Sequence, residues 1–66
     1  MQIQVNGECR EVESGASVAE LLEDLQLDPR YLAVEVNLEL VPRGDHDDKL
    51  LAEGDQLEVV TLVGGG

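Results

Sequence analysis

The residues with the most chemical potential stand at the end of the sequence, where Gly64-Gly65-Gly66 follow Leu62-Val63. A glycine run has no side chain to bury, and glycine carries the largest entropy cost on ordering, so packing does not explain it. Access does. Three extended residues reach about 10 Å beyond a last strand and, lacking Cβ atoms, can thread a narrow channel to present a carboxylate to another protein's active site. The reactive group on this reading is the carboxylate of Gly66, with Gly64 and Gly65 as the threading residues. A frayed end or an expression scar fits the tail alone equally well.

The other reactive side chains have plainer readings. Cys9 falls on an expected strand with nothing evident beside it to favour a thiolate, and reads as a small strand residue. Asp45-His46-Asp47-Asp48 lacks the alternating ligands and glycine of a calcium loop and the ligand set that zinc needs, so it reads as a solvated turn and no metal is expected. Glu20, Glu23 and Asp24 fall on the outer face of an amphipathic helix, where they solvate rather than catalyse. No catalytic residue is assigned.

Size and charge restrict the function further. A chain of 66 residues buries only about 60% of the surface its unfolded form exposes, which suffices for one modest core but not for a deep catalytic cleft as well. With 15 acidic against 4 basic side chains, a net charge of -11 and Tyr31 as the only aromatic, the chain lacks the means to bind nucleic acid. The lone Cys9 excludes an internal disulfide and fits a reducing compartment. No apolar run approaches a membrane span or a signal-peptide core, so the expected location is the cytoplasm.

The elements that must position the tail are legible from pattern. Met1-Gln2-Ile3-Gln4-Val5 alternates like a half-buried strand, and Asn6-Gly7 supports a type I′ turn into a second strand running to Val12. A two-residue loop sets Val5 opposite Glu8; a three-residue loop sets it opposite Cys9 and needs a bulge. Both registers fit the pattern. Ser17-Val18-Ala19-Glu20 matches a capping box, and Val18, Leu21, Leu22 and Leu25 form one apolar stripe on a helix of about ten residues that Pro29 should end near Leu27. Leu32 to Val36 reads as a strand with Leu32, Val34 and Val36 on one face, and Leu40-Val41 as a short edge strand closed by Pro42. Leu50 and Leu51 return to the core, Glu53-Gly54-Asp55 turns, and Gln56 to Val63 forms a last strand with apolar residues on both faces, as suits a central strand. This order predicts an α+β roll with a mixed sheet of about five strands, one main helix across it, and first and last strands parallel and adjacent. That is the β-grasp arrangement. The domain is expected over residues 1–63, with 64–66 as a flexible tail.

These landmarks carry a resemblance. From Met1-Gln2-Ile3 and Asn6-Gly7, through Ser17-Val18-Ala19-Glu20-Leu21-Leu22, to Val41-Pro42-Arg43, Glu53-Gly54-Asp55 and the terminal glycines, the chain resembles the ThiS family, ubiquitin-like sulfur carriers of thiamine biosynthesis. One departure is Leu38 after Asn37, where the family usually has a small turn-forming residue. The resemblance implies that a ThiF-like adenylating enzyme, similar to ubiquitin-activating enzymes, uses ATP to convert the Gly66 carboxylate into an acyl-adenylate. A sulfur donor, such as a cysteine desulfurase or a rhodanese-type persulfide, then replaces AMP to leave a thiocarboxylate, and thiazole synthase accepts the sulfur. The carrier itself binds no cofactor and is a substrate of partner enzymes; Arg43 after Pro42 recurs in the family and reads either as part of a partner surface or as an exposed turn cation that needs no function. The small subunit of molybdopterin synthase is the neighbouring alternative, although it typically runs longer and carries an aromatic and prolines before its Gly-Gly. A non-covalent ubiquitin-like interaction domain is the third reading.

Overall fold

The computed structural model describes residues 1–62, so Val63 and Gly64-Gly65-Gly66 lie outside the described residues. The chain turns first at Asn6-Gly7, between β1 (Gln2–Val5) and β2 (Glu8–Glu11). Both turn residues have positive φ, 51° and 84°, as the type I′ turn requires. The two-residue loop is the one realised, because Val5 lies opposite Glu8 and Gln2 opposite Glu11.

Helix α1 (Val18–Asp24) begins with the capping box expected from its sequence. The Glu20 N–H donates to Ser17 Oγ at 3.1 Å, and the Ser17 N–H donates to Glu20 Oε1 at 2.9 Å. At seven residues the helix is shorter than the ten expected, and Pro29 does not end it. Gln26 adopts a positive φ of 59°, the Leu27 N–H donates to the Leu22 carbonyl, and the Gln26 N–H donates to that of Glu23. This is a Schellman closure built without glycine, which brings Leu27 back toward Leu22.

A 3-10 turn over Pro29–Tyr31 then leads into β3 (Leu32–Val36), which hairpins to β4 (Glu39–Val41). A second 3-10 turn spans Arg43–Asp45, and β5 (Gln56–Thr61) completes a five-stranded sheet in the order β2-β1-β5-β3-β4. β1 and β5 are parallel neighbours and β4 is an edge, so the β-grasp arrangement is the fold observed. The core forms where Ile3, Val34 and Leu57 of the sheet meet Val18, Leu21 and Leu22 of α1, all nearly inaccessible to water.

Three expectations about the core need correction. Leu51 is buried but Leu50 is 60% exposed, because the Leu51 N–H donates to Ala16 beside the helix start and only one of the two side chains faces inward. β5 is central in the sheet, yet the strand ends at Thr61, which is exposed, and its second face is uncovered, with Val60 and Leu62 both more than half exposed. The single helix can cover only one face of the sheet. His46 is the third: it is 4% exposed rather than solvated.

Two side-chain substitutions test these local devices. Ser17→Ala removes the acceptor for the Glu20 amide and should cost about 1 kcal/mol, read from urea denaturation. Asn6→Gly keeps the positive φ but removes two hydrogen bonds to Val59, at 2.8 and 3.2 Å. It should cost about 1–2 kcal/mol and speed amide exchange at Val59.

Candidate functional site

The tail is rooted in β5, and the structure fixes that root from both sides. On one side, β1 has turned away at Asn6, and its side-chain amide takes the place of the next peptide group. The Val59 N–H donates to Asn6 Oδ1 at 2.8 Å, and Asn6 Nδ2 donates to the Val59 carbonyl at 3.2 Å. On the other side, Thr61 lies opposite Leu32, and the Leu62 N–H donates to the Tyr31 carbonyl at 2.6 Å. The chain is therefore held in register up to its last described residue. Gly64, Gly65 and Gly66, the site residues expected from sequence, lie outside the described residues.

Beside this exit Asp28 caps the 3-10 turn and grips Arg30. Arg30 Nη2 donates to Asp28 Oδ2 at 2.7 Å, and the Arg30 backbone N–H donates to Oδ1 at 2.9 Å. The side-chain hydrogen bond from Arg30, aided by its backbone amide, lowers the Asp28 pKa from 3.8 to about 2. Because the folded value is the depressed one, the pair is fully formed above pH 4 and is lost only as pH falls through about 2. The Arg30 guanidinium carbon also lies 5.3 Å from the centre of the exposed Tyr31 ring.

The acidic groups are arranged along the sheet rather than around the exit. Glu35 and Glu58 lie directly opposite one another on the outer face, three residues before Thr61. Glu39 opposes Val36, which itself pairs with Leu57, so it lies toward the end of β5 remote from the exit.

The remaining candidates separate cleanly. Cys9 lies on edge strand β2 opposite Gln4 and is exposed. Glu20 is engaged in the helix cap, Glu23 and Asp24 face solvent, and Arg43 is exposed at the start of its 3-10 turn. Asp45, Asp47 and Asp48 are exposed, and no cluster of three metal-ligating side chains occurs among the described residues. His46 turns inward from that acidic run, with Nε2 3.1 Å from the Val41 carbonyl, so Nε2 is the ring's donor. Its backbone carbonyl accepts from the Ala19 N–H at 3.0 Å, fastening the loop to the helix start. Nδ1 is buried without a partner. Among neighbours as polar as these, no apolar periodicity marks the residue as interior.

Likeness to known proteins converges with this geometry. The ThiS family model matches residues 3–66. The chain is 32% identical to the sulfur carrier protein ThiS of Escherichia coli K12, with the whole of both chains aligned. It is 41% identical to part of a thiazole synthase of Paramagnetospirillum magneticum, and spans about a fifth (20%) of that longer protein. The crystal structure of the thiamine biosynthesis protein ThiS of Geobacter metallireducens superposes with a TM-score of 0.86 at 33% identity, again with both chains fully covered. The strand order, the rooted last strand and a family match running to Gly66 together show that the chain belongs to the ThiS family.

Proposed function

We propose that this chain is a sulfur carrier of thiamine biosynthesis and that its working group is the carboxylate of Gly66. The observation that carries the proposal is the rooting of β5. The strand is held by Asn6 and Tyr31 up to Leu62, and the family match continues from there through Gly64 and Gly65 to Gly66. A carboxylate resists nucleophilic attack because its charge is delocalised. Adenylation by a ThiF-like enzyme with ATP releases pyrophosphate and replaces that charge with a good leaving group; the terminal sulfur of a donor persulfide then displaces AMP to give an acyl disulfide, and a second thiol attacks the donor's sulfur, forming a disulfide with it and releasing the thiocarboxylate. The carrier supplies position rather than acid–base catalysis, and acts as a substrate of its partners.

Thiazole synthase is the proposed acceptor. Two relatives named thiazole synthase contain a segment like this chain, which supports a working association between the two activities. The cytoplasm is the proposed setting, where an uncapped thiocarboxylate and the free Cys9 thiol both persist.

Deletion of Gly66 should abolish ATP–pyrophosphate exchange by the adenylating enzyme without moving the thermal midpoint. Gly65→Ile should block exchange as well, by adding a Cβ and restricting φ where the tail threads. In sulfur-replete cells, intact mass should show a fraction in which one oxygen is replaced by sulfur; exchange by the truncated chain, or no such fraction, would count against the proposal. The net charge of -11 should steer encounter with a basic partner surface. The association rate in stopped flow should therefore fall steeply above about 0.1 M salt, where the screening length is about 10 Å, with a smaller change in dissociation.

A further inference from the structure

Arg43 and the Asp45-His46-Asp47-Asp48 run take no part in the tail chemistry, and the fold brings residues of both to one place. A hollow of about 360 Å³ lies between α1 and the segment that follows β4. Small-molecule pockets begin at about 300 Å³, so its size suffices for a ligand. Ala19, Leu22, Leu27 and Pro29 give it an apolar wall, and His46 lines it from the other segment. No strand residue lines it, so it is separate from the bare face of the sheet. Leu27 reaches this wall only through the closure at Gln26, in the left-handed region at a φ of 59°, yet it stays half-buried and Pro29 stays exposed.

Three constraints define the occupant. The first is a buried acceptor. His46 is 4% exposed and donates from Nε2 to the Val41 carbonyl, so Nδ1 keeps its lone pair, and it is buried without a partner among the described residues. Such a group is costly until a donor reaches it, so the occupant carries an N–H or O–H. The second is the wall, whose four apolar side chains and imidazole favour an aromatic body over a polar one. The third is charge. Glu23 and Asp47 offset Arg43 at the rim, and none of the three is in an ion pair among the described residues, whereas an ion taken to the wall would lose hydration without a buried counter-charge. A metal ion is a poor occupant, because no cluster of three metal-ligating side chains occurs among the described residues. Water would satisfy Nδ1 but would leave the apolar wall wet.

We infer that this hollow is a binding site for a small uncharged aromatic ring that carries an N–H or O–H donor, of the indole or phenol type, with His46 Nδ1 as the acceptor. The ring comes either as a free molecule or as a tryptophan side chain, and the recognising chemistry is the same for both. Nδ1 is closed in the free domain, so the imidazole shifts as the ring enters, and the Nδ1 resonance reports that shift. The site is independent of the chemistry proposed for Gly66.

The test is a titration of the full, isotope-labelled chain with indole, followed by NMR in the amide spectrum and in long-range spectra of the imidazole nitrogens. Saturable shifts are expected at the Ala19, Leu27 and Asp47 amides, together with an upfield movement of the Nδ1 resonance as that nitrogen gains a donor. Benzofuran, which has the shape of indole but oxygen in place of the N–H, should bind about fivefold more weakly. Saturable binding of N-acetyltryptophanamide as well would assign the site to a tryptophan side chain, and binding of indole alone to a free molecule; either supports the site. His46→Trp fills the hollow with its own ring and keeps an N–H for the Val41 carbonyl, and Ala19→Leu fills it from the helix without altering His46. Each should abolish the indole shifts, so the test survives if the tryptophan variant misfolds. Leu50→Ala, at a bare leucine outside the hollow, should bind indole as the parent does. No saturable shift with indole, shifts that persist in the filled variants, or benzofuran binding as tightly as indole with Nδ1 unmoved would overturn the inference and leave the proposed function standing.

Discussion

The parallel pairing of β1 with β5 is the constraint on which the rest of the structure depends. It joins the first strand to the last, with Gln4 opposite Gln56 and Val5 opposite Leu57, and closing so long an intervening loop is entropically costly. The cost is offset by burial. Ile3 and Val5 enter the core from β1 and Leu57 and Val59 from β5, and each buried aliphatic side chain of this size contributes about 1.5–3 kcal/mol. The intervening chain is used to cover what this pair exposes: α1 closes one face, and β3 and β4 extend the sheet beyond β5. Because β1 is short, the pairing would end at Val5, and the Asn6 amide extends it to Val59. The same asparagine makes the first turn and holds the strand that leads to the tail.

A single helix on a five-stranded sheet leaves one face bare, and the sequence had to populate that face with residues that do not aggregate. Charge does most of this. Glu35 and Glu58 interrupt what would otherwise be a continuous apolar surface of Leu40, Val60 and Leu62, and the net charge of -11 keeps copies apart. The edges are protected by the same means. β2 carries Glu8, Arg10 and Glu11, and β4 is three residues long and followed by Pro42.

Local signals were legible wherever a residue type has one dominant reason for its position. Asn6-Gly7, the Ser17–Glu20 capping box and the alternation of Leu32, Val34 and Val36 each correspond to an observed element. The illegible features were set by tertiary context. Gln26 closes α1 in the left-handed region, a conformation its residue type does not advertise, and the reward comes from Leu27 packing against the core. His46 lies in an acidic run that reads as solvent-facing, but the Arg43–Asp45 turn rotates its ring inward to the Val41 carbonyl. Leu50 and Leu51 are adjacent and alike, and only the geometry of the Ala16 contact selects which is buried. Register places Glu35 and Glu58 along the outer face and Glu39 toward the end of β5 remote from the exit, and register is a pairing property that composition does not carry. The glycines stand out in the sequence because no packing role competes for them, and they lie outside the described residues.

The electrostatics near the exit bear on the proposed presentation of a carboxylate. Arg30 is the cation adjoining Tyr31, whose carbonyl holds Leu62, and a free guanidinium there would be a ready partner for any carboxylate within reach. Asp28 occupies it instead, through both the guanidinium and the backbone amide, and holds its own pKa at about 2, so the pair stays intact across the pH range of a cell. Elsewhere along β5 the nearest charged groups are Glu58 and its opposite number Glu35, which repel a carboxylate. The arginine beside the exit is thus already occupied, whereas a partner with a basic channel would offer the carboxylate a counter-charge. On the proposed function, the negative surface and the occupied arginine both favour a basic partner over this part of the domain as the counter-charge for the Gly66 carboxylate.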